Sequence, residues 1–386
     1  MGFVKLIIAY AVSAVIAHMC TSALPFQIGS LIDGYGFSAT AAGLVGFFQI
    51  GSLAVSMIVF APLTRRYRPL GVCLVGMLLA AGCNLGIFLL PASLTLICLL
   101  AIGIGVGYGL VLTAAVAAAA AAPNPDAVYA GGNSGALILL VLMLSVLPAA
   151  TRYLGSRGPF LAIALLILLC LPLLVGFRAR AGTAGAVPSV PEKVPGILPL
   201  LGVWSLMSFG TGAVWGFAER AGLGLHGVSH TAVGLILSAS VFAGLVGTSL
   251  AALLADRMDR VTALAINLIG AGLSCLLLVA THNAWVFAAA AVLYWITTMF
   301  VYVLLLGTAA GLDPSGRLGT LGTGCERFAF AVSAPISGVI ADHASLIWIG
   351  IGAAVASGLV APLLLLMLKR TLGSVPTADL LISQPP

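Results

Sequence analysis

Two adjacent ionisable residues, Glu326 and Arg327, interrupt an apolar stretch at residues 318–341. A charged side chain inside a hydrocarbon layer costs at least about 2.5 kcal/mol, so such a residue usually has a function or a partner. Helical spacing places Glu326 on one face with three small or polar residues, Gly322, Ser333 and Ser337. The same spacing turns Arg327 about 100° away. We therefore predict that Glu326 points into the protein and that the two side chains do not pair with each other.

Two interpretations of these charges stay open at this point. Arg327 could attract an anionic group of a solute while Glu326 exchanges a proton, since perturbed ionisable groups cluster at functional sites. Alternatively, both could form structural pairs with neighbouring helices. The first interpretation predicts that Glu326→Gln abolishes accumulation driven by a pH gradient but preserves solute exchange at equal pH.

Further candidates lie near the ends and the middle of other apolar runs. His18 and Thr21 share one stripe of the first run, and the near-neutral pKa of histidine suits a proton relay, although a lone histidine often only packs. Glu219 and Arg220 end the run that starts at residue 197. We predict a gate on the periplasmic side for this second pair, with interfacial anchoring as the alternative.

A third group of candidates is uncharged. Tyr294, Thr298 and Tyr302 recur at intervals of four residues and form a strip of hydroxyl and aromatic groups suited to a ring or a carboxylate. Gln49 and Asn133 add neutral hydrogen-bonding groups in two other runs. Such strips often serve helix packing alone, so binding by each of these residues is a hypothesis.

The elements that carry these residues are membrane-spanning helices. Charged residues make up 7% of the 386 residues and hydrophobic residues 61%, and a helix needs roughly 20 mostly apolar residues to cross a bilayer. We predict twelve spans, at residues 4–28, 39–63, 70–90, 94–121, 128–150, 158–177, 197–219, 229–254, 261–281, 284–310, 318–341 and 345–368. These runs predict an all-α membrane protein. They exclude a β-barrel, whose strands alternate apolar and polar residues, and the low content of charged residues excludes a soluble domain, which needs more surface charge.

Basic residues indicate the orientation, because Lys and Arg near span ends stay on the cytoplasmic side. With the amino terminus inside, twelve of the 16 basic residues are cytoplasmic, and Arg152, Arg157 and Arg220 are not. We predict both termini in the cytoplasm and a bacterial inner membrane as the location. Anionic lipid headgroups are then the expected partners of the net charge of +6, and no clustered basic face indicates nucleic acid.

The chain divides into two halves. We predict a six-helix bundle at residues 1–177, a cytoplasmic linker at 178–196, a second six-helix bundle at 197–370 and a disordered tail at 371–386. The stretch FSATAAGLV from Phe37 matches VSHTAVGLI from Val228 at a shift of 191 positions. Parallel repeats of this kind predict a binding site near the midplane and alternating access.

These features, with GTSLAALLADRMDR at residues 247–260, resemble the major facilitator superfamily. The resemblance implies a secondary transporter for a small solute that works as a single chain. The family motif after the second helix of each half is matched by Asp256, Arg257 and Arg260, for which we predict a latch on the cytoplasmic side. The first half departs from the motif, because Arg65 stands where the family has an acidic residue.

The function that we predict is proton-coupled transport of a small organic solute, with a carboxylate favoured. One alternative is an exporter of amphipathic drugs or metabolites, and a more remote one is a membrane sensor without transport. We expect no enzyme activity, because no HExxH pair, nucleophile elbow or phosphate-binding loop is present. We also expect no cofactor and no metal, and we expect the seven cysteines to pack as small apolar residues.

Overall fold

The computed structural model describes residues 2–60, 67–91, 93–122, 124–178, 196–225, 228–254, 257–312 and 317–373, which are helical with no strand among them. The helices up to the central linker are α1 (Gly2–Ser22), α2 (Leu24–Tyr35), α3 (Ala39–Val59), α4 (Pro69–Leu89), α5 (Leu94–Ala120), α6 (Pro125–Leu154) and α7 (Gly158–Cys170). The later helices are α8 (Ile197–Gly216), α9 (Ala218–Leu223), α10 (His230–Ser240), α11 (Ala243–Leu254), α12 (Arg260–Ala280), α13 (Ala284–Leu312), α14 (Arg317–His343), α15 (Ile347–Val355) and α16 (Ala361–Gly373).

The all-α prediction is confirmed. In the described part of the chain, eleven helical segments are long and apolar enough to cross a membrane, by length and composition. The remaining predicted span, residues 318–341, lies in the continuous helix α14, which is 27 residues long and is less apolar than the eleven. Helix α14 is more polar than the eleven apolar segments because it contains several glycines and hydroxyl residues and the pair Glu326 and Arg327. A helix of this composition needs protein neighbours to cover its polar face.

Several spans are interrupted. The first predicted span consists of α1 and α2, which meet at Ala23 beside Pro25. A proline in a helix removes a backbone donor, so a break there is expected. A 3₁₀ turn at Leu171–Arg178 follows α7, and a π-helical turn at Ala356–Val360 joins α15 to α16. Most of the predicted linker and of the predicted tail, residues 179–195 and 374–386, lies outside the described residues.

Contacts divide the chain into two compact units. The first unit comprises Met1–Ala186 and Ser229–Ala239, and the second comprises Val187–Val228 and Ser240–Pro386. Residues 229–239 belong to the first unit because α10 packs on α2 and α6 there. A Cβ added at Gly234 would lie 2.2 Å from a carbon of Pro148 and 3.2 Å from the Phe26 ring. The predicted limits of the two bundles remain a prediction.

Glycines set the closest helix contacts of the first unit. A Cβ on Gly105 would lie 2.0 Å from the backbone oxygen of Gln49 in α3, and one on Gly107 would lie 2.5 Å from that of Gly76 in α4. The glycines of α5 therefore allow two neighbouring helices to approach on two faces. This arrangement indicates that the GIGVGYG segment at residues 103–109 serves helix packing.

The second unit is built around α8, α13 and α14. Trp204 of α8 is fully buried together with Leu200, Phe300 and Leu305. The Trp204 ring lies against Gly322, where a Cβ would come within 2.1 Å of it. The glycine one turn before Glu326 thus makes room for an indole ring, which brings α8 next to the acidic residue.

Candidate functional site

Glu326 and Arg327 lie inside the second unit, on α14. Glu326 is 8% exposed, so its predicted inward orientation is confirmed. The prediction that the pair would not interact is wrong, since Nε of Arg327 lies 3.4 Å from Oε2 of Glu326. Long, flexible side chains can bend towards each other although their Cα–Cβ bonds diverge, and a low-dielectric interior favours that contact.

The ion pair does not satisfy the carboxylate. Oε2 of Glu326 is buried and forms no hydrogen bond with any residue that the structure describes, so the 3.4 Å contact is electrostatic and lacks hydrogen-bond geometry. A buried oxygen without a donor costs free energy unless water or a ligand reaches it. Oε2 of Glu326 is therefore a candidate position for binding a proton or a donor group of a solute.

Two tyrosines of α13 lie within electrostatic reach of the pair. Glu326 interacts electrostatically with the phenol groups of Tyr294 and Tyr302, and Arg327 with that of Tyr302. Tyr302 also packs edge to face on Trp204, with the ring centroids 6.1 Å apart. The structure thus brings two tyrosines of the predicted strip close to the predicted pair, on adjacent helices.

The other hydroxyl groups of the strip are bonded within the protein. The Tyr294 hydroxyl donates to the backbone oxygen of Thr211 at 3.2 Å, and Thr298 donates to the backbone oxygen of Tyr294. The Tyr294 ring stacks on Trp215, with the centroids 5.1 Å apart. For Tyr294 and Thr298 these contacts describe packing between α8 and α13, and their predicted contact with a solute stays a prediction.

Buried donors on α8 were not among the predicted site residues. The Nε1 of Trp204 and the Oγ of Ser208 are buried and form no hydrogen bond with the described residues. They are four residues apart and lie on one face of the helix that packs against α14. The signal in the sequence is the series Trp204, Ser208, Thr211 and Trp215, but indole and hydroxyl groups at helical spacing are common in helix interfaces.

The polar interior of the first unit is neutral. The side-chain amide of Gln49 donates to Oε1 of Gln27 at 3.0 Å and to the backbone oxygen of Cys20 at 3.4 Å. Asn84 and Tyr108 are fully buried nearby, and Tyr108 interacts electrostatically with Cys20. Gln49 is buried, and its predicted contact with a solute stays a prediction. Gln27, Asn84 and Tyr108 were not among the predicted site residues.

The remaining candidates of the first unit lie elsewhere. Nδ1 of His18 is 2.7 Å from the backbone oxygen of Ala14, and the Thr21 hydroxyl donates to the backbone oxygen of His18 at 3.2 Å. Both contacts lie within α1, which is typical of residues that pack in a helix. Asn133 is exposed and accepts a 3.4 Å hydrogen bond from Tyr10. A role in coupling or binding remains a hypothesis for all three.

Sequence and structure comparisons agree with this architecture. The model of the Major Facilitator Superfamily matches residues 10–321. The chain belongs to the Major Facilitator Superfamily. No curated protein matches it in sequence.

Two solved structures show the same fold as this superfamily member. A crystal structure of a mutant of the nucleoside transporter NupG aligns with a TM-score of 0.79 and 11% identity, over 95% of this chain and 100% of the other. The D-xylose-proton symporter aligns with a TM-score of 0.73 and 16% identity, over 98% of this chain and 99% of the other. These two likenesses show the fold, and the family match identifies the protein as a multi-pass membrane transporter.

The gate and the latch predicted for this superfamily member are seen only in part. Glu219 is buried in α9 and Arg220 is half-buried, and their role as a gate stays a prediction. Asp256 lies outside the described residues, Arg257 is exposed, and Arg260 lies near Gly307 of α13. A latch formed by these three residues also stays a prediction.

A different ion pair is present beside the predicted latch. Lys369 of α16 lies 3.7 Å from Asp259, which caps α12 by accepting a hydrogen bond from the backbone N–H of Thr262. Partial burial acts to raise the pKa of Asp259, but hydrogen bonds from Thr262 and the charge of Lys369 outweigh it and hold the pKa below its usual value. This pair joins the ends of two helices of the second unit.

Metal binding finds no support in the described part of the superfamily fold. Among the residues that the structure describes, no group of three or more His, Cys, Asp or Glu side chains could hold a metal ion. The seven cysteines are unpaired, and four of them are buried. The polar groups of the described interior include the pair of Glu326 and Arg327, the Glu219 carboxylate, amides, hydroxyl groups and thiols.

Proposed function

We propose that the protein transports a small organic solute with a carboxylate group and couples its movement to protons through Glu326. The observation that carries this proposal is the contact between Glu326 and Arg327, with a buried carboxylate oxygen that no described residue hydrogen-bonds. A neutral solute would leave Arg327 without an anionic partner whenever Glu326 is protonated. A carboxylate can take the place of Glu326 beside Arg327.

The coupling follows from competition for the guanidinium group. When Glu326 is ionised, Arg327 is held by it and has little attraction left for an anion. When Glu326 takes up a proton, the pair loses its attraction and Arg327 can form a charge-assisted contact with the solute carboxylate. Proton and carboxylate then bind together, so the loaded carrier has the same net charge as the empty one.

The surroundings of the pair favour a solute that also has an apolar or aromatic part. Tyr302 and Trp204 supply aromatic surfaces beside Glu326 and Gly322, and the unbonded Trp204 Nε1 and Ser208 Oγ supply hydrogen-bonding groups. Ligand sites commonly combine apolar walls with a few polar groups that fix orientation. A hydroxylated or aromatic monocarboxylate fits this description.

Alternating access, an inner-membrane location and cytoplasmic termini complete the proposal. The distribution of basic residues supports this orientation, and the fold shared with the D-xylose-proton symporter supports coupling to protons. The two structural relatives are named as transporters of nucleosides and of D-xylose, so these uncharged compounds are included as comparison ligands in the binding test. A monomer and contact with anionic lipids are part of the same proposal.

The test begins with ligand identification and continues with flux. Purified protein is screened by thermal stabilisation with lactate, succinate, benzoate, their amides, xylose and uridine. The best ligand is then followed in proteoliposomes with an imposed pH gradient.

Glu326→Gln should lose accumulation driven by the gradient and keep exchange at equal pH. Asp342→Asn is the matched control, because it removes an exposed carboxylate from the same helix. Gradient-driven accumulation that survives in Glu326→Gln would rule out the coupling role.

Export of amphipathic compounds is the second candidate. The aromatic cluster of Trp215, Tyr294 and Trp295, with ring centroids 5.1 to 5.9 Å apart, favours it because such rings bind varied flat molecules. The direction of flux separates the two functions. A symporter takes up its solute when the outer side is acidic, whereas an antiporter expels it under the same gradient.

A further inference from the structure

We infer that a cavity between the end of α6 and the start of α10, inside the first unit, binds a small organic anion. The cavity has a volume of about 790 Å³, which is within the range of sites for small organic molecules. It opens widely to the surface, and the exposed Arg152 and His230 line it together with Thr151, Ser229 and Thr231. We call it the Arg152–His230 cavity.

The charge of the Arg152–His230 cavity is uncompensated. No carboxylate is among its lining residues, and in the part of the chain that the structure describes, neither Arg152 nor His230 forms an ion pair. Arg152 instead places its guanidinium 5.4 Å from the centroid of the Tyr153 ring. A guanidinium without a counter-charge keeps its N–H donors available for a carboxylate or phosphate.

Neutral groups of the cavity can complete the binding of an oxyanion. The Ser229 oxygen accepts a hydrogen bond from the backbone N–H of Ala232 and so fixes the start of α10. Within the described residues, the Thr231 hydroxyl makes no hydrogen bond and remains available as a donor. Pro148 and Leu235 provide an apolar wall. This combination fits an anion with an apolar part better than a bare inorganic ion.

The cavity would receive the solute before it reaches the transport site. This step rests on the proposed function, since it identifies the bound anion with the transported carboxylate. The predicted orientation places the end of α6 on the side away from the cytoplasm. A cationic cavity there raises the local concentration of an anionic solute. Binding itself does not depend on transport and can be tested without it.

The test uses a cysteine in the cavity as a reporter. Ala232→Cys, which leaves the polar groups of the cavity in place, is labelled with fluorescein maleimide in detergent without added lipid, in the presence of benzoate or inorganic phosphate. Both anions should slow the labelling in a saturable way, benzoate more strongly. Thr281→Cys, at the end of α12 and similarly half-buried, is the control whose labelling should not change. The wild-type protein measures the background from native cysteines.

Charge removal then assigns the protection to the cavity. In the Ala232→Cys protein, Arg152→Gln with His230→Gln should weaken the protection by about tenfold or more, the loss expected for a charge-assisted hydrogen bond. Arg152→Lys should keep most of it, and Arg257→Gln removes an exposed charge elsewhere as the control. Melting temperatures confirm that each variant is folded.

Three results would overturn the inference. The first is labelling of Ala232→Cys that neither anion slows, and the second is protection that persists in the double variant. The third is protection by phosphatidylglycerol micelles alone, which would assign the cavity to a lipid headgroup. Failure here leaves the Glu326→Gln flux test untouched, because that test measures coupling at a separate site.

Discussion

The interiors of the two units differ in the kind of polar group they bury. In the first unit, Gln27 and Gln49 form an amide pair, and Asn84 and Tyr108 add uncharged groups. In the second unit, Glu326 and Arg327 form an ion pair beside aromatic rings. Uncharged groups keep their state when the pH changes, whereas a carboxylate can gain a proton. If the proposed function holds, the exchanged proton binds in the second interior, at Glu326, and the amide pair of the first interior contributes packing and uncharged contacts.

The largest loss of stability is expected when a glycine at a close helix contact of the first unit is replaced. Gly105→Ala places a Cβ 2.0 Å from the backbone oxygen of Gln49, and a backbone atom cannot rotate away. We expect a loss of about 3 kcal/mol in the free energy of unfolding, measured as a lower melting temperature in detergent. The pH dependence of flux per folded protein should not change, because the ion pair is in the other unit.

The matched control for this substitution is Gly82→Ala in α4. No atom lies within 4 Å of the Cβ that it adds, so the melting temperature should stay the same or rise. Equal melting temperatures for the two variants would contradict the close approach of α3 and α5.

An intermediate effect is expected in the second unit. Arg327→Gln leaves the Glu326 carboxylate without its cation and should cost about 1–3 kcal/mol. The loss should shrink in acid, because protonation of Glu326 removes the uncompensated charge. The double variant Glu326→Gln with Arg327→Gln should be more stable than Arg327→Gln alone. A cycle of melting temperatures gives the coupling energy, and strictly additive losses would show that the pair does not interact.

The smallest effect is expected at the exposed edge of the second unit. Asp259→Asn keeps the cap of α12 but loses the attraction to Lys369, 3.7 Å away. Both side chains are more than a third exposed, so solvent screening limits the loss to about 0.5 kcal/mol or less. The pKa of Asp259 is below its usual value of 3.8, so its stabilisation is present above that value and is lost as the pH falls through the lowered pKa.

Unfolding measured against pH checks this prediction. The difference between wild type and Asp259→Asn should be present at neutral pH, disappear in strong acid and decrease with added salt. A difference that stays constant down to strong acid would show that the charge of Asp259 does not contribute.

The sequence was sufficient for the fold and for the orientation of Glu326. Apolar runs of spanning length and the spacing of Gly322, Glu326 and Ser333 carry this information, because lipid leaves a chain few alternatives to helices. The glycines of α5 could also be assigned to packing, since small residues four apart are a known signal for close helix contact.

The details of the site could not be predicted in the same way. The contact between Glu326 and Arg327 depends on side-chain bending, which the angle between positions on a helix does not describe. The pairing of Gln27 with Gln49 depends on where α2 starts after the break at Ala23, and the role of Trp204 depends on the gap left by Gly322 on another helix. Such contacts arise from the packing of helices that are distant in sequence.

The most direct test of the account is the protonation state of Glu326 itself. Infrared difference spectra of the reconstituted protein, recorded during a titration from alkaline to acidic pH, detect the carbonyl stretch of a protonated carboxylic acid. The account predicts a band that grows with acidity over the pH range of transport, is absent in Glu326→Gln and persists in Asp342→Asn. A band that is unchanged in Glu326→Gln, or the lack of any such band in the wild-type protein, would contradict it.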